Sequence, residues 1–270
     1  MTWNLDCKLK KFYFVFFLLI GLSPFSETFA AMDEEPDTVL IPAGEFLMGS
    51  PEGVGQADEH PAHKVYLDAY YIDRYEVSGK DFEQYLSANP AQHPTITGWW
   101  DRKIRPDMAD KPVIGLRWER CLNYCVWRGK RLPTEAEWER AAGGLTQRLH
   151  PWGNEPATQK RANFGRCCFI MKGEILRKSG SHEEGKTPEG VYDMSGNIAE
   201  WVYDWYDKNF YQSSPYKNPK GPEQGKRHTI RGGAWNSVSD YMRSGNRYGH
   251  DDGKDFYGIG CRCVRSAIPE

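Results

Sequence analysis

From Leu145 to the C-terminus the chain sustains no helical period. Apolar residues come a few at a time, each run broken by Gly, Pro, Asn or Ser. A helix needs apolar positions recurring every three to four residues, and a long strand needs sustained alternation. This half shows neither, so it must fold as short strands joined by turns, with aromatic rings supplying much of the buried surface. The composition fits that demand: ten tryptophans, fifteen tyrosines and twelve phenylalanines stand beside 27 glycines and 17 prolines in 270 residues. The net charge is -2 and no stretch is strongly basic, which argues against a nucleic-acid or polybasic membrane surface.

The first half carries the regular elements. Val39 to Ser50 reads as two short strands around Pro42-Ala43-Gly44. Val65 to Asp73 alternates and reads as one strand. Ser78 caps a helix with Phe82, Tyr85 and Leu86 on one face, ending by Pro90. A second helix spans about 117–128, and the i, i+4, i+8 spacing of Trp118, Leu122 and Val126 predicts its buried face. Thr134 and Glu137 form a capping box for a third helix, with Trp138 and Ala141 inward and Gly143-Gly144 at its end. The expectation is one α+β domain at residues 39–268, with helices early and irregular β structure late, after a short lead-in at 31–38.

The N-terminus has the layout of a secretory signal peptide over residues 1–30. Lys8, Lys10 and Lys11 precede the apolar run Phe12 to Leu22, and Thr28-Phe29-Ala30 is a small-x-small cleavage signature. This predicts a secreted or periplasmic protein with no membrane span after cleavage. Removing the leader leaves six cysteines: 121, 125, 167, 168, 261 and 263. An even number in an exported chain favours disulfides, and the missing C-x-x-C spacing disfavours zinc. Cys121 and Cys125 share a helix face, and Cys261 and Cys263 share a strand face, so the two faces could meet as two rungs. Cys167 and Cys168 are adjacent, where a mutual bridge is strained.

Several segments in order carry a family resemblance. They are Ile41-Pro42-Ala43-Gly44, Asp58-Glu59-His60-Pro61, Tyr75-Glu76-Val77, and above all Gly129-Lys130-Arg131-Leu132-Pro133-Thr134-Glu135-Ala136-Glu137-Trp138-Glu139. Gly196-Asn197 with Glu200-Trp201, Arg231-Gly232-Gly233 and Gly260 to Arg265 complete the series. Over about residues 39–266 the chain resembles the formylglycine-generating enzyme (sulfatase-modifying factor) family. The resemblance implies a C-type-lectin-like α+β fold with little regular secondary structure. It implies a Cys125–Cys263 disulfide, which leaves Cys121 and Cys261 as a second rung. It also implies a structural calcium held by the Asp193 and Glu200 side chains and the Gly196 and Ile198 carbonyls. A weaker second site begins at Asn163 and the Phe164 carbonyl. Calcium takes six to eight oxygen ligands of these kinds.

The family oxidises a cysteine of a client sulfatase to formylglycine. The resemblance implies a cysteine pair after Arg-Gly-Gly that binds copper(I) and the substrate thiol; soft thiolates suit that ion. In this sequence the two positions are Ser237 and Met242. Ala234 replaces the usual serine, and Ala199 stands where the family oxidase has a tryptophan. These departures disfavour copper and formylglycine generation. They leave a cleft with Trp235, Asn236, Arg243 and Arg247 as ligand-binding candidates for an unknown protein, peptide or small molecule. The alternatives are an oxidoreductase of different chemistry and a variable lectin-fold binder. Residues 235–262 are rich in the Asn, Ser, Asp, Tyr and Gly that adaptable binding loops use. His60 and His63 flank Pro61 in a loop and read as structural, and Ser195 lacks a nucleophile-elbow context.

Overall fold

Alternation decides the first strands. In the computed structural model, which describes residues 37–91, 105–166, 175–251 and 257–267, β1 (Thr38–Ile41) buries Val39 and Ile41 and turns Leu40 outward. It pairs antiparallel with β4 (Tyr70–Asp73), which pairs in turn with β9 (Val264–Ser266). Both ends of the domain therefore share one three-stranded sheet. β2 (Gly44–Met48) and β3 (His63–Leu67) form a separate antiparallel pair. The single strand expected over Val65 to Asp73 is thus two strands in two sheets. Asp68 makes the break: its N–H goes to Asn218 Oδ1 at 2.9 Å rather than to a neighbouring strand. A third sheet has the order β7 (Arg247–His250), β6 (His228–Arg231), β5 (Ala199–Trp205), β8 (Ile259–Gly260), with β5 and β8 parallel. Elsewhere after Leu145 short turns of 3-10 helix and loops connect these strands. This is the α+β architecture, low in regular structure, that the resemblance implies.

The helices begin where their caps predict. Ser78 Oγ accepts the Asp81 N–H at the start of α1 (Gly79–Ala88), which buries Phe82, Tyr85 and Leu86. For α3 (Glu135–Gly143) the capping box is complete: Thr134 Oγ1 accepts the Glu137 N–H at 3.2 Å, and Glu137 Oε2 accepts the Thr134 N–H at 2.8 Å. Such a cap contributes about 1 kcal/mol. Trp138 and Ala141 are fully buried, as expected. The face of α2 (Trp118–Trp127) is corrected. It buries Cys121, Tyr124 and Cys125, whereas Val126 is 61% exposed. Each i+4 step advances about 40° around a helix, so a row of three drifts off the face it starts on. Trp118 and Leu122 still pack against the core partly buried, and the buried centre shifts to Cys121, Tyr124 and Cys125: the Tyr124 ring lies 5.7 Å from Phe82 and 5.8 Å from Tyr85.

The Cys125–Cys263 disulfide is present and ties α2 to the segment between β8 and β9 across 138 residues of sequence. Cys261 and Cys263 lie in that segment rather than on a strand. Cys121 and Cys261 are fully buried neighbours, but they are thiols, so the second rung is not formed. The leader expected over residues 1–30, Cys167 and Cys168 lie outside the described residues. Among the described residues no helix is long and apolar enough to cross a membrane.

His228 on β6 sits between Trp118, at 3.9 Å, and Trp205, at 3.6 Å, in a three-ring stack. Burial lowers its pKa to about 4. An unfolded histidine titrates near 6.5. Between those two values the unfolded chain takes up a proton that the folded chain refuses, so stability falls as pH falls through this window. The expected loss is about 1–3 kcal/mol between pH ~7 and pH ~4.5, read by urea unfolding. A His228→Asn variant should show a shallower pH dependence than the wild type; an equal slope would assign the loss to other groups.

Candidate functional site

Two loops meet at the site. The first is the turn Asp193 to Ile198 that leads into β5. Asp193, Gly196 and Asn197 all have positive φ, at 55°, 81° and 63°. At Gly196 this is more than a preference, because a Cβ there would stand 2.6 Å from the Asn163 carbonyl oxygen. The second is Gly232 to Met242, after β6. The loops are stitched by their backbones: Gly196 N–H donates to Gly232 O at 2.9 Å, and Trp235 N–H to Asn197 O at 3.0 Å. Asn197 is the hub. Its Nδ2 donates to Glu76 Oε2 at 2.8 Å, and its Oδ1 accepts from Asn163 Nδ2 and from the Arg177 N–H. Glu76 and Asn197 stood within the motif segments, but only their distant partners show that they hold the site together.

Ser237 and Met242, expected from the resemblance at the cysteine-pair positions, are both engaged. Ser237 Oγ accepts the Ala234 N–H at 2.9 Å, closing a short turn. Met242 is fully buried; its methyl lies against Gly233, where a Cβ would come within 2.6 Å of it. The Met242 carbonyl accepts from His150 Nδ1 and from Ser195 Oγ, each at 2.8 Å. These residues do not fit copper(I). A hydroxyl is a hard donor, and one packed thioether is a poor substitute for two thiolates.

The four ligand-binding candidates part company. Asn236 is exposed, together with Val238, Ser239, Asp240 and Tyr241. Trp235 is core, 4% exposed, and its Nε1 has no partner among the described residues. Arg243 and Arg247 are both turned to carboxylates within the protein. Arg243 Nη2 donates to the fully buried Glu59 at 2.8 Å. Arg247 grips Glu135 through two bonds of 2.7 and 2.8 Å while lying 4.3 Å from the Tyr211 ring. Arg231 joins the same cluster through Glu135, at 3.1 Å, and Glu139. Burial pushes the Glu135 carboxyl up, but Arg247 and Arg231 hold it below the usual range. His60 and His63 bond to the carbonyls of Val54 and Pro61, consistent with structural roles.

The calcium positions divide. Asp193 Oδ2 accepts the Gly180 N–H at 2.6 Å, and Oδ1 lies 3.4 Å from His182 Nδ1. Glu200 takes Trp138 Nε1 at 2.7 Å and the Arg262 guanidinium. Glu76 lies near both acids; its Oε1 is buried without a partner, and burial, then Asp193 and Glu200, push its carboxyl well up. Asp193, Glu200 and Glu76 set three buried carboxylates against Arg262, although among the described residues no three His, Cys, Asp or Glu side chains gather to hold a metal. A cation beside this turn would take its oxygens from Asp193 and the Gly196 and Ile198 carbonyls, since Glu200 is already engaged. The second set does not fit. Asn163 Oδ1 accepts Arg166 Nε at 2.6 Å, and the Phe164 carbonyl accepts Gln159 Nε2 at 2.8 Å. N–H donors stand on both oxygens that an ion would need.

Comparison with known proteins agrees with this layout. Residues 24–267 match the model of the sulfatase-modifying factor enzyme 1-like domain. The chain is 31% identical over 281 residues to the formylglycine-generating enzyme of Bos taurus, covering 86% of this chain and 75% of that one. It is 35% identical over 245 residues to the serine/threonine-protein kinase pkn1 of Chlamydia caviae, covering 85% of this chain but only 38% of the kinase. The chain thus spans about two fifths of that relative. The structure of PvdO from Pseudomonas aeruginosa superposes with a TM-score of 0.71 at 28% identity, covering 85% of this chain and 94% of that one. By its motifs, its fold and these matches, the chain belongs to the sulfatase-modifying factor enzyme 1-like domain family.

Proposed function

We propose that this protein is an exported member of the family that works by binding a partner at the two-loop site, without making formylglycine by the copper route. One observation supports the reading: Ser237 and Met242, which stand where the resemblance puts the thiol pair, are both tied into the local packing. The exposed Asn236, Val238, Ser239, Asp240 and Tyr241 supply the contact surface, with polar side chains and one ring beside Val238. Loops of this composition adapt to a protein or peptide partner. The kinase relative, in which the matched part is a minority of the chain, supports a domain that serves as a module. Export rests on the leader-like N-terminus.

The test is restoration. A Ser237→Cys, Met242→Cys double variant, given copper(I), oxygen, reductant and a sulfatase-motif peptide, should form more peptide aldehyde than the wild type. Equal, substantial turnover by both would contradict the reading.

Calcium at the Asp193 turn is part of the proposal, as a structural ion. If it binds only the folded chain, a hundredfold excess over its Kd adds about 2.7 kcal/mol of stability by mass action. The expected result is a lower melting midpoint after chelation, restored by calcium. An unchanged midpoint, with no calcium in the purified protein, would count against it.

A further inference from the structure

Past the end of α3 the chain turns back through Gly143-Gly144 and sets Arg148 against the helix. The Arg148 N–H donates to the Gly143 carbonyl at 2.8 Å, and its Nη2 to the Ala142 carbonyl at 3.1 Å. Beside this turn lies a small cavity of about 20 Å³, lined among others by Ser50, Glu139, Gly144, Arg148, Arg243 and Ser244. A space of that size holds one particle about as large as a water molecule. Two hydrogen-bond donors on its wall, Arg148 Nε and Ser244 Oγ, are buried without an acceptor. Native structures rarely leave such groups unpaired, and an ion or a water is the usual answer.

Charge separates the two answers. Every charged residue of the wall has a partner: Glu139 is bound by Arg231, Arg243 binds Glu59, and Arg148 Nη2 meets Glu189 at 3.0 Å. Arg140, in the last turn of α3, then stands in excess. Its Nε and Nη1 are buried without a hydrogen-bond partner, and Nη1 stops 4.0 Å short of the same Glu189. Glu137, one turn earlier on α3, is already held by both terminal nitrogens of Arg131. Two guanidinium groups thus share one carboxylate, with side chains only 5% and 14% exposed. One positive charge is left uncancelled where water screens it poorly. A water molecule can satisfy a donor, but it cannot offset that charge.

We propose that this cavity binds a small monoanion of the size of chloride, which accepts from Arg148 Nε–H and Ser244 Oγ–H. Phosphate, sulfate and carboxylates are too large for the space. The one carboxylate on the wall, Glu139, faces other donors: its oxygens accept from the Gly49 N–H and from Arg231. The ion reinforces a junction that the backbone already makes, where the Ser244 N–H donates to the Leu149 carbonyl at 2.8 Å. The site shares no residue with the contact surface at 236–241, so it stands independently of the function proposed above.

The experiment melts the full chain at one ionic strength, about 0.15 M, in sodium chloride, sodium bromide and sodium gluconate, whose anion is too large for the cavity. Chloride and bromide should each raise the thermal midpoint by about 3 °C or more over gluconate, because they bind only the folded chain. Arg148→Met removes the donor and leaves Glu189 to Arg140, one charge to one, so the chloride advantage should vanish. Ser244→Ala should reduce it. Crystals grown in bromide should show its anomalous signal within hydrogen-bond reach of Arg148 Nε and Ser244 Oγ, and that readout decides the matter if Arg148→Met does not fold. Equal wild-type midpoints in chloride and gluconate would overturn the proposal. So would a chloride advantage that survives in Arg148→Met, or bromide-grown crystals with water alone in the cavity.

Discussion

Replacing Cys125 and Cys263 together by alanine should lower the thermal midpoint by about 10–20 °C. The bond closes a loop across 138 residues of sequence. In the chain-entropy model a cross-link of that span removes enough freedom from the unfolded chain to stabilise the fold by about 5 kcal/mol. For a domain of this size each kcal/mol moves the midpoint by about 2–4 °C. Both cysteines are fully buried, so truncation also costs packing. The double variant is the right comparison, because a single one leaves a thiol beside Cys121 and Cys261 that can form a new bridge. Calorimetry of both proteins without reductant decides it. A shift under about 3 °C would mean that the loop is held shut by other contacts.

Glu135→Ala should destabilise by about 3–5 kcal/mol, the range for breaking a buried ion pair from one side. Glu135 is bound by Arg247 at 2.7 and 2.8 Å and by Arg231 at 3.1 Å, and all three side chains are buried. Removing the carboxylate takes from the buried Arg247 its only ion-pair partner among the described residues and leaves Arg231 with Glu139, in a core where solvation cannot replace what is lost. Tyr211, whose hydroxyl lies 3.4 Å from Glu135, cannot supply the charge. Glu135→Gln keeps the shape and part of the hydrogen bonding, so it should cost less. Urea unfolding of the three proteins ranks them. An alanine variant within about 1 kcal/mol of the wild type would show that the cluster contributes little net stability.

The sequence made some of this legible and hid the rest for physical reasons. Caps are local: Ser78, Thr134 and Glu137 announce helix starts because their bonds span three residues. The buried face of α2 is not local. It depends on where Phe82, Tyr85 and Cys263 arrive, which no window around Val126 contains. The strand break at Asp68 was hard to see because the adjacent Tyr70 and Tyr71 blur the change of phase from buried Val65 and Leu67 to buried Tyr70 and Ile72, and the partner of Asp68, Asn218, lies 150 residues away. Arg243 and Arg247 read in the sequence as ligand-binding candidates. Their carboxylates, Glu59 and Glu135, are 184 and 112 residues distant. Ser237 and Met242 were legible because they were found by counting from Arg231, and identity at a motif position needs no contact information. That the Met242 methyl packs against Gly233 was not legible, because that contact is made only in the folded turn.

The central claim is that a family domain without its thiol pair does not convert cysteine to formylglycine. The most direct measurement is mass spectrometry of a sulfatase-motif peptide after incubation with the purified wild-type chain, copper(I), oxygen and reductant. The prediction is an unchanged cysteine peptide, with no aldehyde above the enzyme-free control. Aldehyde accumulating over many turnovers would contradict the claim and would require thiols other than those expected at positions 237 and 242.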